Sequence, residues 1–203
     1  MMERLRTLKT AYTKQFVQWY SRFLCSWVKF RYPNVNIGSN VSIYGKIIFR
    51  VDKTAQVTIG NNVIFRSSTR SNFAGICKYT SIFVGKNATL TIGDFSGFSG
   101  VSIYCSKEIS IGSYCILGVN SNVWDTDFHP LDYKLRRTQL DGAGQSPIRI
   151  ENDVFVGGNS TLLKGVTIGS RSIIGTSSVV TKSIPADQIW AGNPARYIRQ
   201  VAN

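Results

Sequence analysis

The chain has 203 residues, of which 43% are hydrophobic, and its 24 Lys and Arg against 11 Asp and Glu give a net charge of +13. This size suits one domain with a continuous core and terminal extensions. The positive charge indicates anionic partners, but the basic residues are dispersed and no nucleic-acid motif accompanies them. We therefore expect no nucleic acid as a partner.

The cysteine and histidine content argues against a metal site. The four cysteines lack metal-ligand spacing, and a single histidine excludes a zinc site that takes three histidines from one chain. We expect no metal and reduced thiols in a cytosolic protein. The cysteines are Cys25, Cys77, Cys105 and Cys115.

The N-terminal segment predicts an amphipathic helix over residues 4–29. Apolar and aromatic residues from Leu5 to Phe30 recur at three- and four-residue steps. Such a stripe usually packs on the rest of the protein or on a neighbouring subunit; alternatively, with its basic residues, it lies on an anionic membrane surface. The run is too short to span a bilayer, and we expect no signal peptide. Tyr32-Pro33 should end the helix.

From residue 148 onward, aliphatic residues occupy every sixth position. This period fits neither an α-helix nor a long alternating strand, but it is typical of a β-helix in which each hexad forms one flat side. The residues two places earlier are small or aliphatic, so both series should point inward. The series are Ile150, Val156, Leu162, Ile168, Ile174 and Val180, and Ile148, Val154, Ser160, Val166, Ser172 and Ser178.

Three hexads predict one triangular coil of about 18 residues. Phe155 should then stack on Ile173 along one outer wall, and Thr161 on Val179 along the next. An apolar outer wall on so small a solenoid needs a partner, either another subunit or a ligand. Glycines directly after the aliphatic residues are predicted to ease the turns between sides. They are Gly157, Gly169 and Gly175.

The same rhythm continues upstream with interruptions. Ile111, Leu117 and Val123 repeat at six, whereas the signal fades further back, and loops or less regular coils are expected over residues 44–90. The expected organisation is an N-terminal helical extension over 1–32, an all-β solenoid over 33–184, and a C-terminal segment over 185–203 with a short helix.

The hexad rhythm stops over residues 124–147, and this polar segment is expected to leave the prism as a loop. Long excursions from a rigid scaffold are common places for functional sites. His129, the only histidine, lies in the loop and is followed by Pro130. A neutral imidazole with one nitrogen held can accept a proton through the other, so we interpret His129 as a general base.

Four charged residues of the loop have two interpretations each. Asp125 and Asp127 are near enough in sequence to orient the ring of His129, or else they cap the turn. Arg136 and Arg137 either contact the substrate or anchor the loop, or else form a solvated basic pair.

These features resemble the hexapeptide-repeat acyltransferases. The resemblance is carried by the hexads, the run Asp-Thr-Asp-Phe-His-Pro at 125–130, Ile184-Pro185 and the run Ala-Gly-Asn-Pro-Ala at 191–195, and it covers residues 84–200. The chain is most similar to the sugar O-acetyltransferase branch. The resemblance implies a left-handed parallel β-helix, an exception to the right-handed crossover rule, and trimers with active sites between subunits.

The resemblance further implies acetyl-CoA as co-substrate, with His129 matching the catalytic histidine of the family. Ser99 stands where the family often has an asparagine, one layer before the histidine, and is the candidate for an oxyanion or acceptor contact. Phe155 takes the place of a tryptophan, and two arginines would lie near the phosphates. The expected coenzyme A residues are Phe155, Gly157, Gly158, Gly175, Thr176, Thr181, Lys182, Arg196 and Arg199.

The leading interpretation is an acetyl-CoA-dependent O-acetyltransferase that acts on a sugar hydroxyl, in the biosynthesis of a surface polysaccharide or lipid-linked oligosaccharide. The alternatives are an N-acetyltransferase on an amino sugar, an O-acetyltransferase on a xenobiotic, and a non-catalytic β-helix scaffold. We expect a cytoplasmic homotrimer with a small-molecule or glycan acceptor, either free or peripheral on the inner face of the membrane.

Overall fold

The computed structural model describes residues 2–69, 72–138 and 142–202, with side chains from residue 14 onward. Three β-sheets form the walls of a prism, and the chain visits them in rotation. Wall 1 contains β1 (Val35–Ile37), β4 (Gln56–Ile59), β7 (Thr89–Ile92), β10 (Glu108–Ile111), β13 (Ile148–Ile150) and β16 (Thr167–Ile168).

The other two walls follow the same order. Wall 2 contains β2 (Ser42–Gly45), β5 (Ile64–Ser67), β8 (Gly97–Ser99), β11 (Ile116–Leu117), β14 (Phe155–Val156), β17 (Ile173–Ile174), β19 (Gln188–Gly192) and β20 (Ala195–Gln200). Wall 3 contains β3 (Ile47–Val51), β6 (Thr80–Val84), β9 (Ser102–Cys105), β12 (Asn122–Trp124), β15 (Thr161–Leu163) and β18 (Val179–Val180). The predicted fold class, a left-handed parallel β-helix, is confirmed.

The core is a column of side chains from successive coils. Every residue of the two predicted inward series is buried. The serines of these series are satisfied by corner carbonyls, because the hydroxyls of Ser160 and Ser178 donate to the Gly175 oxygen at 3.0 and 2.7 Å. On the outside, Phe155 pairs with Ile173 in register, as predicted.

The role predicted for the corner glycines is wrong. The left-handed backbone occurs later in each turn, at Asn159, Arg171 and Ser177, with φ of 58°, 60° and 59°. The glycines are required by close approach of the next coil instead. A Cβ on Gly157 would lie 2.6 Å from the Thr176 nitrogen, and one on Gly169 would lie 2.3 Å from the Ala186 nitrogen.

The prediction of loops or less regular coils over residues 44–90 is mostly wrong, because most of this region forms regular strands. Strands β3, β4 and β5 pair in register with the next coil, and Val57 is paired with Leu90 in wall 1. The excursion is confined to residues 68–79, between β5 and β6. The coils here are longer than 18 residues, as the pairing of Val35 with Val57 shows, so the period is hidden although the inward pattern persists.

Helix α1 (Met2–Arg31) covers the open end of the core at the first coil. Val28 is buried there, and the Ser21 hydroxyl accepts from the Ile43 N–H at 2.8 Å. The Tyr20 hydroxyl donates to the Gly45 oxygen at 3.4 Å. This face of the helix keeps water from the first rung of aliphatic side chains.

No helix within the described parts of the chain is long and apolar enough to cross a membrane.

The short C-terminal helix predicted for residues 185–203 is wrong. Residues 188–200 form an antiparallel hairpin of β19 and β20 that extends wall 2, with Ile173 paired to Ile189. Without the hairpin, β17 would be the edge strand of wall 2 and its outer N–H and C=O groups would lack partners; β19 pairs with them. The second helix is α2 (Tyr133–Thr138), which lies in the loop over 124–147.

The close approach at the corners gives a stability prediction. Gly169→Ala should lower the free energy of unfolding by about 2 to 3 kcal/mol, because its Cβ would meet backbone atoms that cannot yield. Gly97→Ala is the matched control, since a Cβ there meets nothing within 4 Å and should change stability by less than about 1 kcal/mol. Urea unfolding compares the two, and equal losses would contradict the close-packing account.

Candidate active site

Two edges of the prism carry the candidate residues. The groove edge joins wall 2 to wall 3 and includes the turns over 100–101, 118–121, 157–160 and 175–178. The loop edge joins wall 3 to wall 1, and the segment over 125–147 leaves the prism there, between β12 and β13. The strands of wall 3 separate these two edges.

A groove of about 600 Å³ follows the groove edge and the outside of wall 2. Its lining is mainly apolar and backbone, and Arg66 is the one charged side chain among the described lining residues. Val119, Gly158 and Thr176 line it at successive levels, so the groove runs along the prism axis. A long, narrow ligand with an anionic group suits this shape and charge.

A cover loop over residues 72–79 closes one side of the groove. Asn120 holds it from the corner below, because its Oδ1 accepts from the Cys77 N–H at 3.0 Å and its Nδ2 donates to the Gly75 oxygen at 2.9 Å. The Lys78 ammonium donates to Asn122 Oδ1 at 2.5 Å, and burial lowers the pKa of Lys78. The cover loop is therefore fixed to the rigid coils.

The cover loop brings an amide to the predicted serine. Asn72 Nδ2 donates to the Ser99 hydroxyl oxygen at 3.2 Å, and both residues line the groove. Sequence reasoning missed Asn72, Arg66 and Asn120. Asn120 lies at a corner whose backbone is in the left-handed region, where asparagine is common, so its sequence position indicated only a structural role.

The loop that carries His129 has a rigid neck. The Asp127 N–H donates to the Gly144 oxygen and the Ser146 N–H to the Asp125 oxygen, both at 3.0 Å. These bonds join the outgoing and returning strands of the loop just above the loop edge. The loop therefore leaves the prism in one direction.

Phe128 anchors the part of the loop that precedes His129. Its ring packs edge-on against Tyr104 and Trp124 on the outside of wall 3, with centroids 4.7 and 5.4 Å apart. Its φ of 64° is uncommon for an aromatic residue and turns the chain so that the neighbouring His129 is exposed. Within the described residues, no hydrogen bond holds the imidazole.

The orienting role suggested for Asp125 is wrong. Its buried carboxylate accepts from the backbone N–H groups of Ser106, Lys107 and Glu108, at 2.6, 2.7 and 2.9 Å. It thus caps the corner of the previous coil. Burial raises the pKa of the Asp125 carboxyl, and the three backbone N–H donors partly offset this by lowering it.

Asp127 and the two arginines are occupied by other contacts. Asp127 forms an ion pair with Lys164 at 2.8 Å, from the next coil on the loop edge. The Arg136 guanidinium donates to the carbonyl oxygens of Pro130 and Leu131 at 3.2 and 3.3 Å, so it anchors the turn after the histidine. Arg137 lies over the Tyr133 ring at 5.1 Å.

The predicted coenzyme A residues fall into three groups. Five lie on wall 2 or the groove edge, and of these Gly158 and Thr176 line the groove. Thr181 and Lys182 follow β18 and lie on the loop edge instead. Arg196 and Arg199 are exposed on β20, at the C-terminal end of wall 2. The five are Phe155, Gly157, Gly158, Gly175 and Thr176.

Comparison with known proteins finds similarity to acetyltransferases with hexapeptide repeats. Residues 147–182 match the family model described as bacterial transferase hexapeptide (six repeats). The chain is 33% identical over 123 residues to the galactoside O-acetyltransferase of Escherichia coli (strain K12), which covers 60% of this chain and 55% of that protein.

Solved structures agree with this. A hexapeptide-repeat containing acetyltransferase of Vibrio cholerae, complexed with acetyl coenzyme A, is similar with 35% identity and a TM-score of 0.52, over 56% of this chain and 61% of that one. A galactoside acetyltransferase in complex with coenzyme A has 25% identity and a TM-score of 0.56, over 87% of this chain and 69% of that one.

The predicted resemblance to the hexapeptide-repeat acyltransferase superfamily is confirmed, and within it the likeness is to the sugar O-acetyltransferase branch. The chain spans about half the length of the curated relatives it matches.

The two aspartates of the loop should differ in their effect on stability. Asp125→Ala should lower the free energy of unfolding by about 2 to 4 kcal/mol, because three backbone N–H groups lose their acceptor. Asp127→Asn breaks a partly exposed ion pair and should cost less than about 1 kcal/mol. Urea unfolding of both variants tests this, and a costlier Asp127→Asn would refute the capping role of Asp125.

Proposed function

We propose that this protein is an acetyl-CoA-dependent O-acetyltransferase that transfers an acetyl group to a hydroxyl of a sugar, with His129 as the general base. The observation that carries the proposal is the presentation of one exposed imidazole on a rigid neck, anchored by Phe128 on wall 3. The likeness to a galactoside O-acetyltransferase supports the reaction and the acceptor class. The setting is the biosynthesis of a surface polysaccharide or lipid-linked oligosaccharide.

The chemistry follows from the imidazole. A ring nitrogen of His129 takes the proton of the acceptor hydroxyl as its oxygen attacks the thioester carbonyl carbon. The C–O bond forms, and the carbonyl oxygen carries the negative charge of the tetrahedral intermediate. Collapse breaks the C–S bond, and the leaving thiolate of coenzyme A takes the proton from the imidazolium. The products are the acetyl ester and free coenzyme A.

The donor is assigned to the groove edge. Gly158 and Thr176 line the groove, so a pantetheine arm laid along the prism axis would contact them, and exposed Arg196 and Arg199 supply positive charge at its C-terminal end. Gly157 and Gly175 belong to the same turns and allow the next coil to pack closely. At the other end, the hydrogen-bonded pair of Asn72 and Ser99 is assigned to the acceptor or the oxyanion. Asn72 thus places a side-chain amide beside Ser99, the position at which the family often has an asparagine.

Because the groove edge and the loop edge are far apart in one chain, we assign each active site to residues from two chains. Ser99 ends β8 on the groove edge, whereas the loop leaves from the far end of β12, across wall 3. The three residues of β12 span roughly 10 Å, too far for one imidazole to serve a thioester in the groove of its own chain. A side-by-side homotrimer resolves this, because the loop of one chain then meets the groove of its neighbour.

The loop residues take supporting roles in this proposal. Arg136 is a positioning residue, since it binds the carbonyl oxygens that follow the histidine. Asp127 fixes the neck through Lys164. Thr181 and Lys182 share the loop edge with His129 and would face the donor bound to the neighbouring chain.

Release of free thiol from acetyl-CoA tests the proposal. His129→Ala should lower acceptor-dependent turnover by at least about a hundredfold, because the hydroxyl loses its base. Leu131→Ser is the matched control, since Leu131 is exposed in the same loop and should retain activity.

The acceptor series separates the alternatives. Neutral sugars, amino sugars and hydroxyl-bearing xenobiotics are assayed with the unmodified protein, and acetylation of sugar hydroxyls is the expected result. Turnover only with amines would refute O-acetylation. Turnover that survives in His129→Ala would refute the base, and no turnover with any acceptor would favour the scaffold.

A further inference from the structure

Helix α1 has an aromatic face that the solenoid does not use. This aromatic face comprises five side chains with exposed fractions from 50% to 86%. The rings contact one another along the helix, with centroids of Trp19 6.2 Å from Phe16 and 6.1 Å from Phe23. The residues are Phe16, Trp19, Phe23, Trp27 and Phe30.

The helix caps the core with its other side. Tyr20, Leu24 and Val28 pack on the first coil, and Ser21 bonds to the backbone of Ile43. The capping function therefore needs none of the five exposed rings. Exposed aromatic residues in a contiguous stripe mark a surface that contacts something else.

The charges beside this face identify the kind of partner. The helix carries seven Lys and Arg residues and one acid, Glu3. Arg22 and Lys29 line a cleft between the helix and the first coil, and neither has an ion-pair partner among the described residues. Trp and Phe beside basic residues fit the headgroup zone of a membrane with anionic lipids.

The position of the helix favours a membrane over a second copy. Helix α1 contacts β1 and β2, so it lies at the N-terminal end of the prism. Prisms that assemble side by side through their walls keep their ends pointing in one direction, and the aromatic faces then lie in one plane. A flat lipid surface can contact all of them at once.

We propose that the aromatic face of α1 docks the protein on the surface of membranes that contain anionic lipids. The rings of Trp19 and Trp27 enter the interface, and Arg22 and Lys29 bind the lipid phosphates. The docking does not depend on the acetyl transfer proposed above, because it is measured without acceptor or acetyl-CoA.

Co-sedimentation with vesicles tests this. The full chain should bind phosphatidylcholine vesicles with about 30% phosphatidylglycerol, and bind more weakly without the anionic lipid or at high salt. The double variant Trp19→Ser/Trp27→Ser should weaken binding at least about tenfold. Phe73→Ser is its matched control, since Phe73 is 96% exposed elsewhere and should leave binding unchanged.

A second pair of variants tests the charges. Arg22→Gln/Lys29→Gln should weaken binding at least about tenfold, whereas Lys53→Gln/Lys86→Gln removes two exposed lysines from another corner and should weaken it less than about threefold. Quenching of tryptophan fluorescence by brominated lipid should disappear in the tryptophan variant.

Three results would overturn the proposal. They are failure of the unaltered protein to bind, equal binding by the tryptophan variant and its control, and loss of the oligomer in the tryptophan variant. The last would show that a second copy covers the aromatic face. Circular dichroism and thermal unfolding confirm that each variant is folded.

Discussion

The stacking of one coil on the next, with no clearance at the corners, is the constraint on which the rest of this structure depends. Gly157 and Gly169 lie so close to the following coil that a methyl group would collide with its backbone. Inside, each rung contributes one aliphatic layer to a continuous buried column. Because the walls cannot flex independently, segments that leave an edge start from fixed points. The histidine loop and the cover loop both take their geometry from this frame.

The hexads made the walls predictable because each inward position accepts only small or aliphatic residues, and the period survives wherever each side of a coil has the same length. It failed before residue 90 because coils such as that between Val35 and Val57 have longer strands, Ser42–Gly45 on wall 2 and Ile47–Val51 on wall 3, although these strands pair as regularly. The C-terminal hairpin depended on the open edge of wall 2 rather than on its own sequence. Neither feature has a local signal that pattern reading can detect.

The candidate site was predictable in part for a similar reason. An interrupted rhythm and a lone histidine located the loop, but the partners of Asp125 come from residues 106–108 on the previous coil. Proximity in sequence to His129 was therefore misleading. Asn72 reaches Ser99 across 27 residues and through a segment whose pattern had faded. Contacts between coils, rather than within a hexad, decide which side chains meet.

The central claim is that the imidazole of one chain works at the groove of its neighbour, and subunit complementation tests it directly. His129→Ala is co-expressed with Thr176→Trp, whose indole would fill the groove at an exposed position. Each parent should be inactive, whereas the co-expressed mixture as a whole should regain about a quarter of the unmodified activity, because random assembly pairs an intact loop with an intact groove at that frequency. Mixed assemblies no more active than their parents would show that each chain builds its site alone.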